Sequence, residues 1–266
     1  RRIDQEGKVC HIHTAKSHYH LVPTTFKRAN LITSTSKMSG PSLNLDDVEE
    51  VPDGVLSPNA LQRQAAMVVY LESNDVPALD NPEEVLSTLH RKLKSDHWVD
   101  QFQALDSFRS LSLHHTSILS SSLTKLVPSL SKCIESLRSS VCKNGLLAAY
   151  DVCTSFQTSL EPSIPTLLTS LLKRCADHSN IFISASANSA LVNLIETCPG
   201  PKLVQTLSSQ ASSKNAALRA IVAKSLSYAV DTHGAPLLET SNDATNVIKL
   251  SAEFLSDKKP GTRAAG

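Results

Sequence analysis

Few residues in this chain are arranged for covalent or metal chemistry. Cys10-His11-Ile12-His13 followed by His18-Tyr19-His20 is the one cluster rich in ligand-type side chains. Zinc would need deprotonated Cys or neutral His held in fixed tetrahedral geometry with ordered surroundings. The spacing matches no zinc module and the neighbouring residues are those of a solvated linker, so no metal is expected. His114-His115 and the scattered serines supply the parts of a triad, but a nucleophile needs its base within hydrogen-bond reach, and ridges of repeated helices form no closed pocket to hold them. Only 8 glycines occur, none of them in a phosphate-cradling loop, and HExxH, GxSxG and kinase-like motifs are absent. These residues describe a non-enzyme that requires neither cofactor nor metal.

Trp98 is the residue best suited to a different kind of chemistry, recognition. It is the only tryptophan and stands in Asp96-His97-Trp98-Val99-Asp100, at the start of an amphipathic segment. A large rigid ring left partly exposed among polar neighbours suits a binding anchor, since tryptophan is enriched among the residues that dominate interface energy. The competing reading is a helix-start staple packing on Leu93 and Phe102, because tryptophans are highly buried on average.

Composition narrows the partners. Lys+Arg 26 against Asp+Glu 25 gives a net charge of +1, so no bulk pull toward nucleic acid or an anionic membrane is implied. No stretch approaches the roughly 18 to 20 apolar residues that span a bilayer, and no signal-peptide pattern opens the chain. Six cysteines, Cys10, Cys133, Cys142, Cys153, Cys175 and Cys198, are scattered without metal spacing and read as reduced core thiols of a soluble intracellular protein. The chain starts without methionine and stops at Thr262-Arg263-Ala264-Ala265-Gly266, where a helical pattern is only beginning. It reads as a fragment of a longer protein.

The elements that must position Trp98 are helices. Residues 1–80 are rich in Ser, Thr, Pro, Asn and charge and are expected to be a largely disordered linker, with a short helix near 59–72 entered after Ser57-Pro58. From Asn81-Pro82-Glu83-Glu84 onward the pattern is helical: a cap, a proline in the first turn and acids facing the helix dipole. Val85, Leu86, Leu89 and Leu93 line one face, and Leu and Ala carry the apolar load thereafter at helical spacing.

Breaks recur at helix-hairpin intervals. Phe102, Val141, Ile183, Leu218 and Thr262 mark the second helix of successive hairpins and stand 39, 42, 35 and 44 residues apart. Partner helices are expected over 121–133 and 163–174, with Pro128, Pro162 and Pro165 as entry turns or kinks. A repeat near 40 residues is the signature of stacked two-helix units that share their core with neighbours. The expected fold is therefore all-α, a HEAT-repeat α-solenoid over 81–266 with about four and a half repeats, C-terminally truncated.

His97-Trp98-Val99-Asp100-Gln101-Phe102-Gln103-Ala104-Leu105 resembles the opening of a TOG domain, the HEAT-repeat module that binds tubulin. Ile134-Glu135-Ser136-Leu137-Arg138-Ser139-Ser140-Val141 is similar to the family's second-repeat turn, Asp177-His178-Ser179-Asn180-Ile181-Phe182-Ile183 to its third, and Ser213-Lys214-Asn215-Ala216-Ala217-Leu218-Arg219 to its fourth. The likeness runs from about Pro82 to the end and looks closest to the CLASP and crescerin branch, the choice between those two staying open.

The resemblance implies that the turns within the hairpins line one edge and meet αβ-tubulin or the microtubule lattice there. Carried over by position, the contacts would be Trp98; Leu137, Arg138 and Ser139; Asn180; Lys214 and Asn215; and Lys258, Lys259 and Arg263. Cations flanking an aromatic anchor suit an acidic partner such as tubulin. The family usually places a basic residue in the third turn. His178, Ser179 and Asn180 supply none that is fully charged at neutral pH, which leaves free dimer and lattice both open as the ligand. Arg219 reads more as an arginine that pairs with a neighbouring repeat, Arg138 more as a contact. The implied setting is cytoplasmic microtubules or the cilium, among cytoskeletal or ciliary partners, with no nucleic acid and no membrane. A HEAT-repeat protein scaffold without tubulin binding is the alternative; it would have no need of Trp98 or of cations confined to one edge. Nucleic-acid binding would call for a basic face, which a net charge of +1 does not supply.

Overall fold

In the computed structural model, residues 68–238 and 241–266 are described, all within one compact unit. The Cys10–His20 cluster and most of the helix expected over 59–72 lie outside them. Eleven α-helices occur among the described residues and no strand: α1 (Pro82–Leu93), α2 (Trp98–His114), α3 (Thr116–Ser120), α4 (Leu123–Ile134), α5 (Ser139–Phe156), α6 (Ile164–Cys175), α7 (Ile181–Thr197), α8 (Pro201–Ala211), α9 (Ala216–His233), α10 (Ser241–Leu255) and α11 (Pro260–Arg263).

Helix α1 starts as its sequence dictates, with Pro82 in the first turn beside Glu83 and Glu84, and it ends on His90, Arg91 and Lys92. Acids at the N-terminus and bases at the C-terminus oppose the macrodipole at both ends. Pro128 sits inside α4, which continues through it to Ile134. Pro162 lies in a 3-10 stretch, Gln157–Ser163, that leads into α6, and Pro165 occupies the first turn of α6. A missing N–H costs least there, because those donors have no intrahelical partner.

The helices pair as five hairpins, α1/α2, α4/α5, α6/α7, α8/α9 and α10/α11, with short α3 bridging the first two. First helices stack on first helices, in the order α1, α4, α6, α8, α10. Second helices stack in the order α2, α5, α7, α9, α11. This is the two-layer solenoid expected from the repeat spacing, and every anchor residue from Phe102 to Thr262 falls in a second helix.

One continuous apolar core runs between the layers, through Leu105 and Phe108, Leu126 and Leu130, Val141 and Val152, Leu167, Leu168 and Leu171, Leu191 and Leu194, and Leu203 and Leu207. Truncating one fully buried leucine such as Leu167 to alanine costs about 2–5 kcal/mol, because the cavity cannot collapse. Gly145 marks a close approach of the layers: a Cβ there would lie 3.1 Å from the Ile134 backbone nitrogen.

The chain ahead of α1 departs from expectation. Residues 68–72, the end of the expected helix, are not helical, with Glu72 extended, and residues 73–75 form one 3-10 turn. The segment 68–80 forms a strap that lies along the second-helix layer and runs up to the start of α1. Apart from the Asp75 N–H bond to Glu72 O that closes the 3-10 turn, its backbone polar groups pair with helix side chains. Leu71 O accepts from Arg109 Nη1 at 2.8 Å, Val76 O pairs with His114 Nε2 at 2.7 Å, and Pro77 O accepts from the Ser110 hydroxyl. Leu79 N–H donates to His115 Nε2 at 3.2 Å. The side chain of Val76 is buried, and Tyr70 meets Phe102 edge to face at 5.8 Å beneath the Lys143 ammonium, 4.2 Å from the Tyr70 ring centroid.

Beneath the strap, Arg109 of α2 and Asp151 of α5 form a buried ion pair, Nε to Oδ2 2.6 Å. Ser73 of the strap donates to the other carboxylate oxygen. Repeat one, repeat two and the strap thus share one polar node in an apolar setting.

Candidate interaction edge

Because both layers stack in register, the five turns within the hairpins (residues 94–97, 135–138, 176–180, 212–215 and 256–259) come out on one edge. They are built by one local device, a side-chain oxygen that accepts a backbone N–H two residues on. Ser95 accepts from His97 N at 3.1 Å, Ser136 from Arg138 N at 3.2 Å, Ser213 from Asn215 N at 3.2 Å and Asp257 from Lys259 N at 2.7 Å. In the third turn Asp177 accepts from Ser179 N at 3.0 Å, and Asn180 then caps α7. Such bonds let Ser, Asp and Asn hold a non-helical turn against continuation of the helix.

A second set of bonds closes three turns from inside. Gln101 donates to Ser95 O, Arg219 Nη1 to Ser213 O at 2.9 Å, and Arg263 Nη1 to Asp257 O at 2.8 Å and Lys258 O at 3.0 Å. In the second turn the job passes to the next hairpin, where Arg174 reaches back to Ile134 O at 2.8 Å and Ser136 O at 2.9 Å. Arg219 also forms an ion pair with Asp257, Nε to Oδ2 2.7 Å, joining the fourth and fifth turns. The Arg219 hydrogen bond, helped by the Lys259 backbone N–H, holds the Asp257 carboxyl down to about 2. In the third turn the Ser179 hydroxyl and N–H hold Asp177 below its ordinary value, with Arg174 adding to the effect. Burial raises Glu135 of the second turn, but hydrogen bonds from Lys173 and Ser170 outweigh it and leave this carboxyl low. These acids are charged at neutral pH, and their charges are spent inside the edge.

The residues singled out from the sequence divide accordingly. Trp98 is half-buried, one side against the core. Arg138, read from the sequence as a contact, lies over that ring, with its guanidinium carbon 3.9 Å from the centroid. Leu137 beside it is 99% exposed, and Ser139 is exposed at the first position of α5. Lys214 and Lys258 are exposed and Lys259 is half-buried. Asn180 and Asn215 serve as caps: each side-chain oxygen accepts two backbone N–H groups at the start of its helix. Arg263 is exposed but donates to its own turn, so less of its hydrogen-bonding capacity is available outward.

Two residues on the edge were not singled out as contacts. Ile181 and Phe182, opening α7, are 74% and 76% exposed. The signal was present in the spacing: the buried stripe of α7 is Ile183, Ala187, Ala190, Leu191 and Leu194, and positions 181 and 182 fall outside it. Between the first and second turns lies a shallow cleft of about 530 Å³, lined by Lys94, Asp96, Gln101, Lys132 and Ser136 among others. Among the described residues no His, Cys, Asp and Glu group has metal-binding geometry, and no helix is long and apolar enough to cross a membrane.

Stacked hairpins that present a row of preset turns, with aromatic, aliphatic and cationic side chains at their tips, define a helical-repeat binding module and not an enzyme scaffold. The chain belongs to the CLASP N-terminal family, whose model matches residues 81–265, and it has the fold of a TOG domain of the CLASP and crescerin type. It is similar to crescerin-like protein che-12 of Caenorhabditis elegans, 24% identical over 190 residues, which cover 71% of this chain and 15% of that protein. It is likewise similar to human TOG array regulator of axonemal microtubules protein 1, 25% identical over 66% of this chain and 10% of the relative. Protein stu1 of Aspergillus oryzae is 28% identical over 50% of this chain and 12% of its own length. The chain thus spans only 10% to 15% of these curated relatives. Among solved structures, the TOG domain of C. elegans Zyg9 superposes with a TM-score of 0.55 at 18% identity, covering 77% of this chain and 79% of that one. A structure described under TOG–tubulin binding specificity also gives 0.55, at 17% identity, over 78% of this chain and 87% of the other.

Proposed function

We propose that the hairpin module binds αβ-tubulin or the microtubule lattice through its turn edge and so regulates microtubule dynamics. The observation that carries this reading is the Arg138–Trp98 stack beside Leu137: an aromatic, a cation and a fully exposed leucine stand together where two turns meet. Lys214, Lys258 and Lys259 extend the edge with positive charge, and Asp257 in the fifth turn is occupied by bonds to Arg219 and to the Lys259 N–H. A preorganised apolar centre flanked by cations suits an acidic protein surface, giving a desolvated anchor and electrostatic steering together. The relatives' names point the same way, since one is a regulator of axonemal microtubules. On that basis the module acts on cytoplasmic or ciliary microtubules, as one unit of a longer protein. Linkage to further modules would raise its effective concentration on the polymer.

The test is co-sedimentation of the full chain with microtubules, beside size-exclusion chromatography with free tubulin, at low and physiological salt. Wild type is expected to bind in at least one format, and Trp98→Ala with Lys214→Ala to lose it. A folded wild type that binds neither would favour a protein scaffold of another kind.

A further inference from the structure

Ile181 and Phe182 stand in the third turn, between the apolar tips of the first two turns and the lysines of the last two. They occupy the first two positions of α7, directly after the Asn180 cap, and are 74% and 76% exposed. Asn180 Oδ1 accepts the backbone N–H of both Phe182 and Ile183 at 3.1 and 3.2 Å, so this turn is fixed and its apolar side chains are presented outward. Neither side chain is part of the core or packed against it. No Lys or Arg lies in residues 175–183; Asp177 is bonded to Ser179 and paired with Arg174. The third turn therefore faces outward with an isoleucine and a phenylalanine, and without a free cation.

We infer that Ile181 and Phe182 form an apolar anchor at the third turn that buries against the tubulin surface, making this turn's contribution to binding insensitive to salt. The inference rests on the tubulin reading above. It follows from continuity with the edge: the same row of turns carries Trp98 and Leu137 on one side and Lys214 on the other. Two adjacent large apolar side chains this exposed gain free energy when a partner removes them from water. Contact by area removal depends little on ionic strength, whereas contact by Lys214 weakens as salt screens it. The edge then has two kinds of grip, an apolar one at turns one to three and an ionic one at turns four and five.

The experiment is microtubule co-sedimentation and tubulin size-exclusion with the full chain, comparing wild type, Phe182→Ala, Phe182→Lys, Lys214→Ala and Trp98→Ala at low and physiological salt. Circular dichroism and melting of each variant serve as the folding control. Phe182→Ala is expected to weaken binding about tenfold or more, the loss typical of a buried aromatic anchor, and by the same factor at both salts. Phe182→Lys is expected to weaken it as well, and Lys214→Ala chiefly at low salt. If Phe182→Ala binds like wild type while Trp98→Ala does not, the anchor is overturned and the tubulin reading stands. Tighter binding by Phe182→Lys would equally overturn it, by showing that the turn wants charge. Wild type binding to neither dimer nor lattice would overturn both.

Discussion

The guanidinium carbon of Arg138 lies 3.9 Å from the centroid of the Trp98 ring, so a residue of the second turn covers an aromatic of the first. The two are 40 positions apart in sequence and belong to different hairpins. The pair pins the relative height of two turns and presents one composite surface.

Removing the cation should therefore be felt on the edge and barely in the core. Arg138→Ala is expected to cost about 0.5–1 kcal/mol, the size of an exposed cation–π contact. Because Trp98 is the only tryptophan, its emission should shift to longer wavelength as the ring gains water. Fluorescence and urea unfolding on the same sample read both effects.

The polar node under the strap should behave in the opposite way. Asp151→Ala leaves the buried Arg109 charge unpaired and is expected to cost about 3–5 kcal/mol. It also removes the acceptor of the Ser73 hydroxyl, so amide exchange over residues 71–79, and at the Leu79 N–H above all, should quicken. Replacing both partners by apolar residues, Arg109→Met with Asp151→Leu, should recover much of the lost stability while leaving the strap loose. Denaturant unfolding and hydrogen exchange separate the two consequences.

The fifth turn carries an acid-sensitive bond. The Asp257 carboxyl is held down to about 2, from 3.8, by Arg219 and by the Lys259 N–H. A depressed carboxylate stabilises the folded state above its unfolded value, and that contribution is lost as pH falls from about 4 through about 2. The turn should thus be fully formed at neutral pH and released only in strong acid. Arg219→Ala should move the Asp257 titration back up toward 3.8, as read by carboxyl chemical shifts.

In the native protein, thiol chemistry should be silent at the five cysteines among the described residues. Burial pushes Cys133 to about 11 and Cys175 to about 12, and raises Cys142, Cys153 and Cys198 as well. The thiolate is the reactive form, so these five should resist an alkylating reagent at neutral pH and react once the chain is denatured. Mass mapping of the labelled peptides checks each site separately.

The hairpins were legible because a layer of leucine and alanine repeating near 40 residues has few other ways to bury itself, and Phe102, Val141, Ile183, Leu218 and Thr262 each mark a second helix. The strap was not legible. Its hold on the helices runs largely through the carbonyls of Leu71, Val76 and Pro77 and the N–H of Leu79, main-chain groups that leave no mark in composition. Of the edge, sequence reasoning reached Trp98 by its type and setting, and Leu137 and Lys214 through the resemblance. It passed over the Trp98–Arg138 contact because nothing local connects residues in separate hairpins. Ile181 and Phe182 were passed over because apolar residues at a helix start read as core unless their register is checked against the buried stripe.

In the second, third and fourth turns the residue that sets the backbone differs from the residue that faces outward: Ser136 and Leu137, Asn180 and Phe182, Ser213 and Lys214. Scaffold and display are thereby uncoupled, and each of these turns acts as a socket whose outward side chain can be exchanged without rebuilding the loop. A lineage can revise its ligand preference one socket at a time while the stack behind it stays unchanged, and the row of tips on this chain reads as one setting among many that the same architecture permits.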